Sequence, residues 1–452
     1  MKLHKTLLTT SAILLSASLS HAVEKADSLS ALADKAPANT SLSFRAGRAL
    51  YEAGHNRKAL PYLNRGGNDA NPWIALIELE DYNFEAAAAR AEKYLASKHD
   101  ATAPEHSLAE EIIDRAGIGR TMLDRVEKVI VIDSLTVDKE SFFRAYSISP
   151  TTGTIASPTA LPGNMKAARP TTVYVSENGE RMLWGQYDKN GNSRIVETNH
   201  LADGSWEAPE PIGDDLCLGA NANFPFLLSD GMTLYYASDG EGSLGGYDIY
   251  VTRNDGDRYL NPQNIGMPYN SPMDDYLLAI DDATGIGWWA TDRNLIPGKL
   301  TIYMFIPQEL RDNYPVDGTP DLIQRARISS IAKTHRQGED YSKYFEAVRN
   351  IMKNASSDTT DGNLMFALPD GRVINRISDL TQPEAAELMR EYLSAYDEFT
   401  DRKIRLLSLR QKYREGNTSL TDEILSEEAE LEQMQTSLRN LANEVISAET
   451  GM

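Results

Sequence analysis

The chain has 452 residues, 41% of them hydrophobic and 25% charged, with a formal net charge of −21. That length suits about three domains of ordinary folded composition, and the negative charge, which repels phosphate backbones and anionic lipid heads, argues against nucleic-acid or peripheral membrane binding. A single cysteine, Cys217, excludes an internal disulfide or a cysteine-built zinc cluster and reads as a small buried hydrophobe.

The first residues carry Lys2 and Lys5, then an apolar run from Thr6 to about Leu19, then Ser20-His21-Ala22 before Val23. A basic start, a short apolar run and a small-x-small site predict a secretory signal peptide over 1–22, cut between Ala22 and Val23. The run is shorter than the roughly 20 apolar residues of a bilayer span. No later segment is long and apolar enough to span. The expectation is an exported chain, periplasmic or held at the outer membrane by partners.

Residues 23–126 read as helical. Phe44, Gly47, Leu50 and Tyr51 share one face, and Ala59, Leu60 and Tyr62 open a second helix after Gly54. Trp73, Leu76, Leu79 and Tyr82, then Phe84, Ala87, Ala88, Ala91 and Tyr94, repeat the pattern. Small residues facing large ones at helical spacing let short helices pack closely. The pattern resembles tetratricopeptide-type hairpins over roughly 40–98. Ala59 and Ala87 lie 28 residues apart, however, against about 34 in that family.

Residues 127–307 change to short β-rich runs between Gly, Asp, Asn and Pro turns. Tyr235-Tyr236-Ala237-Ser238-Asp239 returns as Trp288-Trp289-Ala290-Thr291-Asp292, 53 residues on. Ile249-Tyr250 returns as Ile302-Tyr303, and Trp206-x-x-Pro209-x-x-Ile212-Gly213 as Tyr259-x-x-Pro262-x-x-Ile265-Gly266, at the same spacing of 53. Val175-Ser176-Glu177-Asn178-Gly179 matches Leu228-Ser229-Asp230-Gly231 with one residue inserted. A period of about 50 built from four short strands predicts a β-propeller blade, whose two apolar faces need neighbouring sheets to cover them. Tyr235, Tyr236, Trp288 and Trp289 are expected to fill the wedge between blades.

The stretch Asn223 to Asp239, followed by Gly245-Gly246-Tyr247-Asp248-Ile249-Tyr250-Val251, resembles the WD-like β-propeller repeat of bacterial envelope proteins. The periplasmic Tol-system propeller belongs to the same broad group. In such proteins the resemblance implies tetratricopeptide-like hairpins before the repeat and a peptidoglycan-binding domain after it; no such last domain is recognisable in this sequence. The expected array has four to six blades. Val129–Asp133 and Phe142–Ile148 are expected to start a further blade, completed by a hairpin within 361–380 (Leu364–Leu368, turn Pro369-Asp370-Gly371, Arg372–Ile374). Residues 308–360 would be a helical insertion, with helices at Leu322–Ala332 and Tyr341–Met352.

Residues 381–452 are helical again. Pro383 suits a helix start, with Glu384 and Glu387 in its first turn. Leu388, Tyr392, Tyr396 and Phe399, then Ile424 to Val445 beyond Gly416-Asn417, predict a coiled-coil-like antiparallel hairpin. It serves as packing against the propeller rim or as a dimerisation or docking arm. The fold class is thus a multidomain α plus all-β chain: N-terminal helical hairpins, a central propeller and a C-terminal helical hairpin.

Catalytic patterns are weak. His55, His99, His106, His200 and His335 show no paired metal-ligand spacing. Gly240-Glu241-Gly242-Ser243-Leu244-Gly245 departs from the G-x-S-x-G elbow and lies between strands. Asp188-x-Asn190-x-Asn192 and Asp239-x-Glu241-x-Ser243 offer oxygen ligands but lack the calcium-loop Gly and Glu positions. No cofactor and no metal site is expected. The leading expectation is a non-catalytic envelope scaffold that binds protein partners, outer-membrane or cell-wall associated. Its contact residues would be Tyr187, Asp239, Tyr247, Asp292 and Arg293 in loops converging on the propeller axis. The alternatives are an enzyme acting on envelope glycans or peptides, marked by a carboxylate pair lining a pocket, and a carbohydrate-binding module, marked by a row of exposed aromatics.

Overall fold

The computed structural model describes residues 12–451 except 98, 140, 163–164, 166–170, 297, 349–365, 368–372, 375–376 and 415–416. The chain combines helices with antiparallel sheets and forms two compact units, Met1–Thr334 and His335–Met452.

The first unit opens with α1 (Ala12–Lys35), which runs through the Ala22–Val23 junction; residues 1–11 of the expected signal peptide lie outside the described residues. The helices α2 (Thr40–Glu52), α3 (Asn56–Leu63), α4 (Asn71–Glu80), α5 (Phe84–Leu95) and α6 (Pro104–Leu123) follow, with α2 packed on α1 and α3, and α5 on α4 and α6. Asn39 caps α2, its Oδ1 accepting from Leu42 N at 3.0 Å. Gly54, at φ +79°, makes the turn into α3. Gly47 lies so close to Leu63 that a Cβ there would enter both its side chain and its backbone. That contact is the reason for a glycine on the apolar face of α2.

The strands form three sheets of blade-like size. The first joins β2 (Thr154–Ala156), β3 (Val173–Val175), β4 (Arg181–Tyr187), β5 (Ser193–Asn199) and β6 (Glu210–Pro211) in that order. The second joins β7 (Ala222–Leu227), β8 (Thr233–Ser238), β9 (Asp248–Arg253) and β10 (Gln263–Asn264). The third joins β11 (Asp275–Asp281), β12 (Ile286–Thr291), β13 (Lys299–Ile306) and β1 (Ile130–Asp138). Its outer strand therefore comes from the start of the array. Ile130 faces Ile306, and Asp138 faces Lys299.

Two expectations are corrected here. Val129–Asp133 starts no further blade; β1 covers the open edge of β13, which removes an unpaired strand. Phe142–Ala145 is a 3-10 turn. The strands at Phe366–Ala367 and Val373–Ile374 pair with each other in the second unit and close nothing in the third sheet. Among the described residues three sheets are of blade size, short of the four to six expected, the β14–β15 pair is a fourth, two-stranded sheet, and no closed ring is shown.

Residues one repeat apart touch. Tyr174 meets its repeat equivalent Phe226 at 5.3 Å between ring centres, and Phe224 meets Tyr276, the echo of its neighbour Asn223, at 5.4 Å. Thr171 bonds Asn223, and Ser229 bonds Asp282. These contacts set β7 against β3 and against β11; β7 and β11 are edge strands of their sheets, and β3 lies one strand in, beside β2. Of the four aromatics expected in the interior, Tyr236, Trp288 and Trp289 are each at most 1% exposed, as is Trp184, while Tyr235 is only half-buried.

Residues 308–334 are not an insertion between halves of the array. They strap the first unit together. Lys128 N donates to Asp312 O at 2.7 Å, Tyr314 N to Val126 O at 2.8 Å, and Val131 N to Thr334 Oγ1 at 3.0 Å. The predicted helix at 322–332 shortens to α7 (Leu322–Ala326) and a 3-10 turn at Ile331–Thr334. The helical region grips the sheets through Arg115, which donates to Leu244 O at 2.6 Å and Pro272 O at 2.8 Å.

In the second unit, α8 covers residues 342–348, β14 (Phe366–Ala367) pairs with β15 (Val373–Ile374), and α9 (Pro383–Arg414) runs antiparallel to α10 (Thr421–Thr450). Most of the predicted hairpin turn at 368–372 lies outside the described residues. Buried Ala385, Met389, Leu406, Leu409, Leu431, Leu438 and Val445 form the apolar seam between the long helices. Arg405 pairs with Glu423 at 2.9 Å and Glu427 at 3.2 Å, and Arg410 with Glu428 at 2.9 Å.

Glu449, near the end of α10, caps the start of α9. Its carboxylate accepts from Thr381 N and Oγ1 and from Gln382 N at 2.8–3.1 Å. Glu449→Ala strips that cap and leaves helix-end amides unpaired. It is expected to cost about 2 kcal/mol, read as faster hydrogen exchange at residues 381–389. Unchanged exchange there would refute the cap.

Candidate functional site

Three of the sequence-predicted residues occupy one repeat position. Tyr187 ends β4, Asp239 follows β8 and Asp292 follows β12. The structure gives two of them a turn-locking task. Asp239 accepts from Asn221 N at 2.8 Å and from its Nδ2 at 2.9 Å. Asp292 accepts from Asp274 N at 2.9 Å. In each case the carboxylate leaving one strand holds the entry of the sheet's first strand. Tyr187 OH accepts from Asn223 Nδ2 at 2.9 Å.

Around Asp292 the loops build a compact polar cluster. Lys139, just past β1, places Nζ 3.0 Å from Asp292 Oδ2 and 3.8 Å from Asp274 Oδ2. Tyr276 OH donates to Asp274 Oδ2 at 2.8 Å, and the Lys139 ammonium lies 5.1 Å from the Tyr276 ring centre. Tyr247 N donates to Asp274 Oδ1 at 2.9 Å. The Tyr247 ring stands edge-on to Phe224 at 5.9 Å and tilted against Tyr276 at 6.1 Å. Phe142 closes the aromatic floor against Phe224 and Tyr276. Tyr247 and Asp292, both predicted, therefore share one site, linked through Asp274.

Burial, reinforced by the Asp274 charge, pushes the Asp292 carboxyl up to about 6, and Lys139 opposes the rise. Burial works against the Lys139 ammonium too, but Asp292 and Asp274 outweigh it and hold its proton more firmly.

Arg293 is corrected. Its side chain is 3% exposed and pairs with fully buried Asp275 at 3.0 Å. It also donates to Pro268 O at 2.7 Å and Tyr269 O at 2.5 Å. An arginine tied to three inward acceptors is a structural brace, not a loop contact.

Lys139, Phe142, Phe224, Asp274 and Tyr276 were missed from sequence. For two of them a signal existed: Asp274 and Tyr276 are the 53-residue echoes of Asn221 and Asn223. Three non-glycine residues with left-handed backbones sit at this same end: Leu218 (φ +47°), Phe224 (φ +54°) and Leu295 (φ +53°). Leu218 O accepts from Glu241 N, and Leu295 N donates to Asp292 O. Such strain persists only where surrounding structure enforces it, and it concentrates at functional loops. Leu295 and its neighbour Ile296 are 41% and 45% exposed, an apolar tip beside the cluster.

The other motifs resolve as turns. Asp188 Oδ1 accepts from Asn190 N and Asn192 N at 2.8 and 2.9 Å, and Ser243 Oγ donates to Ser238 O at 2.8 Å. Among the described residues no group of three or more His, Cys, Asp and Glu side chains could hold a metal ion, and no helix is long and apolar enough to cross a membrane. The two best-defined hollows lie elsewhere. One, of about 10 Å³, is lined by Glu127, Tyr314 and Arg325; the other, of about 340 Å³, lies along Arg258–Gln263. No family model, curated protein or solved structure matches the chain.

Proposed function

We propose that this chain is a non-catalytic, protein-binding scaffold of the bacterial cell envelope, and that its three sheets are propeller-type blades gathered around an axis near β3, β7 and β11. The contacts between residues one repeat apart support the radial arrangement, since a shared axis is the simplest way to bring equivalent positions together. The basic start, apolar run and Ala22–Val23 junction support export. The long α9–α10 pair is proposed as the dimerisation or docking arm.

The observation that carries the binding reading is the exposed Leu295–Ile296 tip, held in a strained turn beside Asp292, Lys139 and Tyr247. Adjacent exposed apolar side chains beside a charged cluster offer area that a partner can take out of water. It fits a partner offering an apolar pocket rimmed by basic side chains. The enzyme reading would draw on the Asp274–Asp292 pair. That pair is already engaged by Lys139 and Tyr276, and neither hollow reaches it.

Crosslinking in intact cells, followed by mass spectrometry, tests the proposal. The wild-type chain should capture a defined envelope protein, and the double substitution Leu295→Asp and Ile296→Asp should reduce its recovery roughly ten-fold at unchanged thermal stability. Capture of unrelated abundant proteins alone, or equal recovery by the variant, would overturn it.

A further inference from the structure

His99, in the link between α5 and α6, and His106, in the first turn of α6, meet end to end. His99 Nε2 lies 2.7 Å from His106 Nδ1, while the ring centres are 5.0 Å apart and the planes differ by 26°. The centre separation exceeds the nitrogen separation by about one ring diameter. The rings therefore share a common line, with a proton between them.

The partners dictate where the protons sit. His99 Nδ1 lies 2.8 Å from Ser97 O. A carbonyl only accepts, so that nitrogen carries a proton. Neutral His99 is then bare at Nε2, and the bond requires the proton on His106 Nδ1. His106 Nε2 faces Glu110 Oε1 at 3.5 Å. A proton there makes His106 an imidazolium without disturbing the pair. A further proton on His99 Nε2 would set two N–H groups head-on. The pair accepts one positive charge and breaks at the second.

Acidic and aromatic groups face the pair. The Tyr94 ring of α5 lies 4.5 Å from His99 between centres. Asp100, its carboxylate held by Thr102, acts on His99 from the link itself. Glu105 and Glu110 belong to α6, and Asp69, before α4, acts on the Tyr94 end together with Asp100 and Glu105. A metal ion bridging the same nitrogens along their common line would need them ~4 Å apart, twice an ordinary imidazole–zinc distance. The observed spacing fits a proton.

From this geometry we infer that the His99–His106 pair is an acid-released latch, pinning residues 99–103 to α6 at neutral pH and freeing them when both imidazoles are charged. Release would uncover Tyr94, which is 1% exposed when latched. The export proposed above would place the latch in a compartment that follows outside pH, but the latch does not rest on that location.

Hydrogen–deuterium exchange of the full chain at pH 7.5 and 5.0, corrected for intrinsic rates, tests it across the range in which imidazoles ordinarily titrate. Residues 99–103 of the wild type should lose protection roughly ten-fold at pH 5.0. His99→Gln, whose amide oxygen accepts from His106 without titrating, should stay protected at both values. His106→Ala should be open at both. Equal wild-type protection at the two values, acid opening of His99→Gln, or protection that appears only with added zinc would overturn the latch.

Discussion

Gly245→Ala should unfold the sheet array or destabilise it by about 3 kcal/mol or more. A Cβ at Gly245 would lie inside the Met273 carbonyl and against Ser271 O, and one at Gly246 would meet the Asp274 carboxylate. At Gly245 the obstacle is backbone from the start of the next sheet, which cannot rotate away as a side chain can. The same crossing carries Tyr247 N to Asp274 Oδ1 at 2.9 Å and Asp275 N to Tyr247 O at 2.7 Å. The clash therefore pushes apart the bonds that join the second and third sheets. Urea unfolding followed by tryptophan fluorescence reads the effect, because Trp184, Trp288 and Trp289 are all buried in sheets. Gly117→Ala is the control. It lies in α6 with nothing within 4 Å of its added Cβ, and it should be neutral or stabilise by up to about 1 kcal/mol. A Gly245→Ala midpoint equal to wild type would mean that these two loops do not meet.

Arg293→Met should cost about 3–5 kcal/mol, because it abandons the carboxylate of Asp275 in the interior. Asp275 is 0% exposed and keeps Ser271 N and Oγ, at 2.6 and 2.8 Å, and the Thr291 hydroxyl as partners once the guanidinium is gone, none of them a cation. Pro268 O and Tyr269 O lose their donors as well. Adding Asp275→Asn removes the stranded charge and should recover part of the loss, so the two substitutions are non-additive. Thermal unfolding of the single and double variants measures the coupling. If Arg293→Met instead lost partner capture at wild-type stability, Arg293 would return to the contact surface from which its burial removes it.

Arg293 and Asp292 show where sequence reading succeeds and stops. Both follow the same echoed strand, and the loop position was legible from the 53-residue period. Which of two neighbouring polar residues turns inward depends on what lies behind the strand, and that is Asp275 and the 268–269 carbonyls. Lys139 was silent for a related reason. It lies more than 130 residues before its carboxylate partners, and only the pairing of β1 with β13 carries it to them. Gly245-Gly246 was legible as part of a repeat motif. Its purpose, close passage past the next sheet, appears only when the sheets are assembled.

Local pattern by itself determined the helical ends, the strand-rich centre, the repeat spacing, the buried aromatics and the paired helices from Pro383 onward. Each follows from hydrophobic period and turn chemistry acting over a few residues. Tertiary structure decided the number of sheets, the strand that covers the last one, the independence of the 366–374 hairpin, the strap at 308–334 and the inward course of Arg293. These are choices between partners distant in the chain. An unpaired strand edge is satisfied by whichever strand reaches it first with matching register, and nothing in the local sequence of β13 names β1 as that strand.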